Sequence, residues 1–290
     1  MPESPREILR RIKGIKSTQQ ITKAMEMVAA VKLAKVRMQA ENSRPYVDNM
    51  SLIMRSFCST VEEFQHPLFA PRDEQNILLL LITSDRGLCG TFNTNVINAA
   101  TAFIEEKHEC NVSVITVGRK GNDVLSGQGH TVVKHYDAPW GEAVDQEVKN
   151  ITAYLISAFE SGTIDGIYIL YSQFENVLRH VPTLVPYLPV PTLSEEEQTH
   201  LVKGGYFLVE PGIEDVAQML VPRYLETRLY HSIIESSASE YAARMVSMRN
   251  ANDNAEEVIA DLTLTYNKAR QASITRDLID IIGGVEALRG

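Results

Sequence analysis

Ser84-Asp85-Arg86-Gly87-Leu88-Cys89-Gly90-Thr91 is the one stretch of this 290-residue chain laid out like a phosphate-binding turn, since it follows an apolar run and opens an amphipathic one. Backbone N–H groups at such a turn can hold an anion. The same glycines serve equally well to make a tight strand-to-helix turn. Other signatures of chemistry are missing. No GxxxxGK[ST] loop occurs, no glycine precedes a lysine, and no GxGxxG follows an apolar run, so nucleotide and dinucleotide sites have no support. GxSxG, HExxH and HxE with CxxC are also absent. His130 and His135 are five apart in an extended segment and fall on opposite faces, which suits surface residues rather than ligands. Cys58, Cys89 and Cys110 have neither disulfide-framework nor zinc spacing and read as buried or half-buried thiols. The expectation is a chain with no catalytic residue, cofactor or metal of its own.

The elements around that loop carry more information. A hydrophobic content of 44% against 22% charged residues is ordinary for a folded globular chain. No apolar run of membrane-spanning length or secretory signal is seen, which places the chain in the cytosol or its equivalent. A net charge of −9 disfavours nucleic acid as partner. The charge is uneven: residues 1–44 hold ten Lys/Arg against four Asp/Glu, a basic island that could meet a membrane, a nucleic acid or an acidic protein.

Between Asn76 and Pro211, short apolar runs (76–83, 112–117, 166–171 and a weaker 131–136) alternate with amphipathic stretches at 93–107, 119–126 and 142–161. Strand and helix in alternation imply a parallel sheet with right-handed crossovers, a small Rossmann-like α/β domain. Residues 181–191 carry four prolines, too many for a central strand.

The two ends read as long helices. Ser4-Pro5-Arg6-Glu7 forms a capping box with proline in the first helical position. The N-terminal apolar stripe starts at Ile8, Ile12 and Ile15. After the polar run Ser17–Gln20 it is expected to resume, out of phase, at Ile21, Ala24, Val28, Val31 and Met38, with Lys35 as its charged member. Pro45 should kink or interrupt this helix. In the C-terminal segment Ile234, Ala238, Tyr241, Met245, Met248, Asn252, Ala255, Ile259, Leu262, Tyr266 and Ala269 alternate steps of four and three, the 3.5-residue period of a coiled-coil seam. Asn252, its polar member, is placed to fix register. The stripe restarts one residue late at Ile274, Leu278, Ile281, Val285 and Leu288, which predicts an apolar tip overhanging the N-terminal partner. The predicted fold class is therefore α/β, a long antiparallel coiled coil of the terminal helices with a central Rossmann-like domain. Its parts would be residues 1–60, 76–211 and 212–290.

Four strings in order, ITKAMEMVAA at 21–30, LITSDRGLCG at 81–90, SEYAARMVSMRNANDNA at 239–255 and YNKARQASIT at 266–275, resemble the gamma subunit of F-type ATP synthases across essentially the whole chain. The resemblance implies a non-catalytic rotor subunit that transmits torque between an ion-driven membrane ring and a hexamer of three alpha and three beta subunits, where nucleotide is bound. Implied partners are alpha, beta, epsilon and the membrane c-ring, with no nucleic acid. It further implies that Lys23, Met25 and Arg244 lie near an acidic lever loop of beta, and that Arg270, Gln271 and Thr275 meet beta loops higher on the shaft. Tyr206 and Glu210 match the foot that meets epsilon and the membrane ring. The sequence departs from the family where Arg276-Asp277 follows Ile274-Thr275 and where Val285 follows Gly284. Without a chloroplast-type insert or transit peptide, it reads as a bacterial protein at the cytoplasmic face of the plasma membrane. A coiled-coil scaffold carrying an unrelated α/β domain is the alternative.

Overall fold

A computed structural model describes residues 4–60, 67–139, 141, 143–190, 210 and 212–287. Helix α1 spans Pro5–Thr60 and helix α5 spans Ile213–Ala287. Pro45 and Pro222 are accommodated inside them. The expected capping box forms: the Ser4 N–H donates to Glu7 Oε2 at 2.9 Å and the Glu7 N–H to Ser4 Oγ at 3.3 Å, which satisfies donors a helix start leaves without carbonyl partners. The chain divides into two compact units, residues 1–30 with 244–290, and residues 31–243.

Within residues 31–243 the elements between the long helices are β1 (Asn76–Ile82), α2 (Phe92–Glu106), β2 (Asn111–Val117), α3 (Arg119–Gly127), β3 (Val132–Tyr136), α4 (Ala143–Glu160), β4 (Gly166–Phe174) and β5 (His180–Leu188). They form one five-stranded sheet in the order β3-β2-β1-β4-β5, with β1 to β4 parallel and β5 antiparallel to β4. Ile77 to Ile82 of β1 are all buried, as expected for a central parallel strand covered on both faces. On one face Leu79, Leu81 and Val114 pack with Val96, Ala100 and Phe103 of α2 and Leu125 of α3. Helix α4 buries Val144, Val148, Ile151, Leu155 and Phe159, and its Thr152 hydroxyl sits 3.3 Å from that of the fully buried Tyr187 on β5. The proline-rich segment forms β5, which lies at the sheet edge where a missing N–H is tolerated.

In the other unit α1 and α5 run antiparallel, since Thr22 meets Asn252 and Glu26 meets Arg249. Here the expected stripe of α1 is overturned. Ile21 is 59% exposed and Val28 56%, and Ala24 is exposed as well. The side chains facing inward are Ile8, Ile12, Ile15, Gln19, Thr22, Glu26 and Ala29, which keep the steps of four and three without a break. Within residues 31–243 the same phase continues along α1 through the buried Leu33 and Val36, while Val31 (72%) and Met38 face solvent. The seam thus passes through the polar run in its original phase. It holds polar side chains where the helices can pair them, and the apolar stripe beginning at Ile21 lies on the outer face.

The C-terminal seam is buried or half-buried from Met248 to Ala269, as its period predicts. It continues one step to the half-buried Ser273, and Ile274, Leu278, Ile279, Ile281, Ile282 and Val285 are all exposed. Carrying the Thr22–Asn252 register to the start of α1 sets Pro5 level with about residue 269. The restart of the stripe after Ala269 is thus the overhanging apolar tip that the sequence predicts. It lies beyond the level at which α1 begins, where α5 has no partner helix among the described residues. Leu288 lies outside the described residues.

Candidate functional site

A layer of hydrogen-bonded polar side chains interrupts the apolar seam of the helix pair. Glu26 and Asn252 are each only 7% exposed. Asn252 Nδ2 donates to Glu26 Oε2 at 3.0 Å, and Asn252 Oδ1 accepts from the Thr22 hydroxyl at 2.6 Å. Lys23 Nζ donates to Glu26 Oε2 at 3.0 Å and Arg249 Nε to Glu26 Oε1 at 3.2 Å. Such groups are costly to bury unless paired, and these are paired only in one alignment of the helices, so the layer fixes register. Asn252 was legible as a register mark. The partners of Asn252, Thr22 and Glu26, were not, nor was Arg249, which bonds Glu26; the signal for the first two was the unbroken phase from Ile8.

The Lys23 ammonium, followed by the bonds from Arg249 and Asn252, holds the Glu26 carboxyl below its ordinary range against the opposing effect of burial. A carboxyl whose folded-state pKa is depressed contributes stability that is complete above the unfolded value and is lost as pH falls through the folded one. Below about pH 4 the helix pair should therefore weaken more in the wild type than in Glu26→Gln. Helical circular dichroism during thermal unfolding at pH 7 and pH 3 measures this, and equal pH sensitivity in both proteins would contradict it.

Of the residues implied by resemblance, Lys23 is exposed and tied to Glu26, Met25 is half-buried and Arg244 is buried. A groove of about 410 Å³ beside the polar layer has Lys23, Gln20, Met27, Asp253 and Glu256 on its walls. Arg270, Gln271 and Thr275 are exposed on α5. Gln271 and Thr275 share a face, four residues apart, just beyond the level at which α1 begins. Glu210 is exposed before α5, and Tyr206 lies outside the described residues. The geometry gathers Lys23 into the polar layer and does not bring it to the distal group.

In the α/β unit, strand order reverses between β1 and β4, the position where open α/β sheets receive ligands beyond their strand ends. There the loop after β1 is bonded and packed within the fold. The loop after β1 is held by Asn93, whose Oδ1 accepts the Ser84 N–H at 3.0 Å and whose Nδ2 donates to Ser84 Oγ at 2.8 Å and Cys89 Sγ at 3.2 Å. Cys89 and Phe92 then pack against Ala243 of α5. Asp85 accepts the N–H groups of Arg119 at 3.1 Å and Ala138 at 3.3 Å, and so ties the loop to those after β2 and β3. The loop is thus held by bonds within the fold, and its Ser84 N–H is taken by Asn93. Among the described residues no cluster of three His, Cys, Asp or Glu could hold a metal, and no helix is long and apolar enough to cross a membrane. Cys58 and Cys110 are half-buried and Cys89 is buried; burial pushes the Cys58 thiol up to about 11.

Fold and site together define a class: a pair of terminal helices with an inserted α/β domain whose loop after β1 packs against one of those helices. The family model described as ATP synthase matches residues 4–288. The chain is 39% identical over 285 residues to the ATP synthase gamma chain of Pelotomaculum thermopropionicum, covering 98% of this chain and 99% of that one. It is 38% identical over 298 residues to that of Chloroherpeton thalassium, covering 98% and 97%. The chain belongs to the gamma-chain family of ATP synthases. Among solved structures it is similar to a chain of the central stalk and c-ring of the Tetrahymena thermophila mitochondrial ATP synthase, with a TM-score of 0.60, 26% identity, and coverage of 80% of this chain and 99% of that one. A chain of the Euglena gracilis mitochondrial ATP synthase in rotational state 3 shares the fold, with a TM-score of 0.65 over 98% of this chain and 94% of that one.

Proposed function

We propose that this chain is the rotor shaft of an ion-translocating ATP synthase, turning inside an alpha-beta hexamer and joined through epsilon to the membrane c-ring at the cytoplasmic face of the membrane. It hydrolyses no nucleotide itself. The observation that carries this reading is the distal part of α5, where six large apolar side chains between Ile274 and Val285 are exposed beyond the level at which α1 begins. Contiguous exposed apolar surface of this kind marks a binding surface, and a sleeve of other subunits covers all sides of a single helix where one partner helix cannot. A single asymmetric helix pair cannot contact three beta subunits alike, so each is held in a different state and rotation exchanges the states. Linkage makes this reciprocal, and nucleotide binding biases shaft angle.

Reconstitution with alpha and beta subunits tests the reading. The chain should enter at one copy per six and raise steady-state ATPase activity, and a stable homodimer that ignores alpha and beta would overturn it. Arg270 and Gln271 sit where the unpaired helix begins and offer several donors each. Arg270→Ala with Gln271→Ala should slow turnover roughly tenfold, the effect of about 1.4 kcal/mol of lost contact, while leaving assembly intact. Unchanged hydrolysis and synthesis would remove both from the contact surface.

A further inference from the structure

Strand β4 outruns its neighbour. The last β1–β4 pair is Leu81 with Leu170, yet β4 continues to Phe174. Ser172 is paired across β5 with Pro182, which has no N–H to give, so the Ser172 carbonyl faces the side that β1 has vacated. Two residues on, the Phe174 N–H faces the same way. Side chains of α5 stand in for the missing strand. The Ser239 hydroxyl donates to the Ser172 carbonyl at 2.9 Å, and Glu235 Oε2 accepts the Phe174 N–H at 2.9 Å. One helical turn advances about 6 Å per four residues and two strand residues advance about 6.6 Å, so the two repeats match rung for rung. Ser239 is fully buried, Glu235 nearly so, and Ala243 extends the row by one more turn onto Cys89 and Phe92.

We infer that this two-rung ladder, Glu235 to Phe174 and Ser239 to Ser172, is the anchor that passes torque between the α/β sheet and the shaft helix. The inference deepens the rotor reading above and rests on it. Apolar contacts are non-directional and let a helix turn or slide against a sheet. Hydrogen bonds weaken steeply with misalignment, and two of them one turn apart resist both rotation and sliding. One rung ends on a carboxylate, which strengthens the bond. Arg228 also reaches the sheet, donating to the Pro186 carbonyl at 2.8 Å, but it is an exposed contact open to competition from water. Because α5 is one helix from Ile213 to Ala287, load taken at Glu235 and Ser239 continues along its backbone.

The test uses the assembled membrane-bound enzyme and compares ATP hydrolysis with ATP-driven ion pumping in the same vesicles. Glu235→Ala with Ser239→Ala should keep assembly and hydrolysis within about twofold and lower ions pumped per ATP by roughly fivefold or more. Glu235→Gln keeps an acceptor for the Phe174 N–H and should pump as the wild type does. Three results would overturn the ladder: normal pumping per ATP in the double variant, uncoupling by Glu235→Gln equal to that by the double variant, or loss of assembly in the double variant, which would assign these bonds to folding alone. A wild-type chain that assembles with the other subunits but supports no pumping would instead overturn the rotor reading.

Discussion

Gly118→Ala is expected to destabilise the α/β domain by about 3 kcal/mol. Gly118 follows β2 with φ at +93°, a conformation that L side chains rarely adopt. An added Cβ would also lie 2.2 Å from the Thr83 carbonyl oxygen and 2.6 Å from its carbon. That backbone cannot retreat. The Thr83 N–H donates to the Val117 carbonyl at 2.7 Å, the Gly118 N–H donates to the Tyr136 carbonyl at 2.8 Å, and the Gly121 N–H donates to Thr83 Oγ1 at 2.9 Å. Relief of the clash would break the joint between the ends of β1, β2 and β3. Thermal unfolding should show a midpoint lower by roughly 10 °C for a domain of this size. A midpoint within a degree or two of the wild type would mean that this close approach is not what the structure describes.

The second large effect is a coupling rather than a loss. Glu26→Leu leaves the Asn252 amide in the seam without the carboxylate, and Asn252→Leu leaves that carboxylate and the Thr22 hydroxyl against an apolar side chain, so each single change should cost about 2 kcal/mol. Changing both removes the need for pairing, and a well-packed apolar layer is often as stable as the polar one it replaces. The double variant should therefore lie closer to the wild type than the sum of the singles by at least about 2 kcal/mol. Urea unfolding of the full chain, followed by helical circular dichroism, measures the cycle, and simple additivity would show that the polar layer is not a unit. The repaired stability should come with weaker alignment, because leucine fits leucine in more than one register.

Much of the fold is legible in the residues for a physical reason. Continuous apolar runs such as Ile77–Ile82 have one stable home, a strand covered on both faces, and prolines such as Pro182 and Pro186 have another, the sheet edge. The C-terminal seam was legible because its contacts are mostly apolar. The N-terminal seam misled for the converse reason. Gln19, Thr22 and Glu26 look like surface residues until their partners are known, and Ile21, Val28 and Val31 look like core residues although they face out. The bonds from Glu235 and Ser239 had no signature at all, because their partners are backbone groups exposed only where one strand outruns another. Arg270, Gln271 and Thr275 are ordinary exposed helix positions, and resemblance alone singled them out.

The outward stripe of α1 bears on how a cell counts its subunits. Ile21, Val28, Val31 and Met38 are exposed on a helix whose inner face is already satisfied, and the end of α5 is apolar on several sides. A copy made in excess would present both surfaces to chaperones and proteases, and would be soluble only while they remained covered. The same residues that look like errors of patterning would then make an orphan shaft short-lived, and so match its abundance to that of the complex that shelters it.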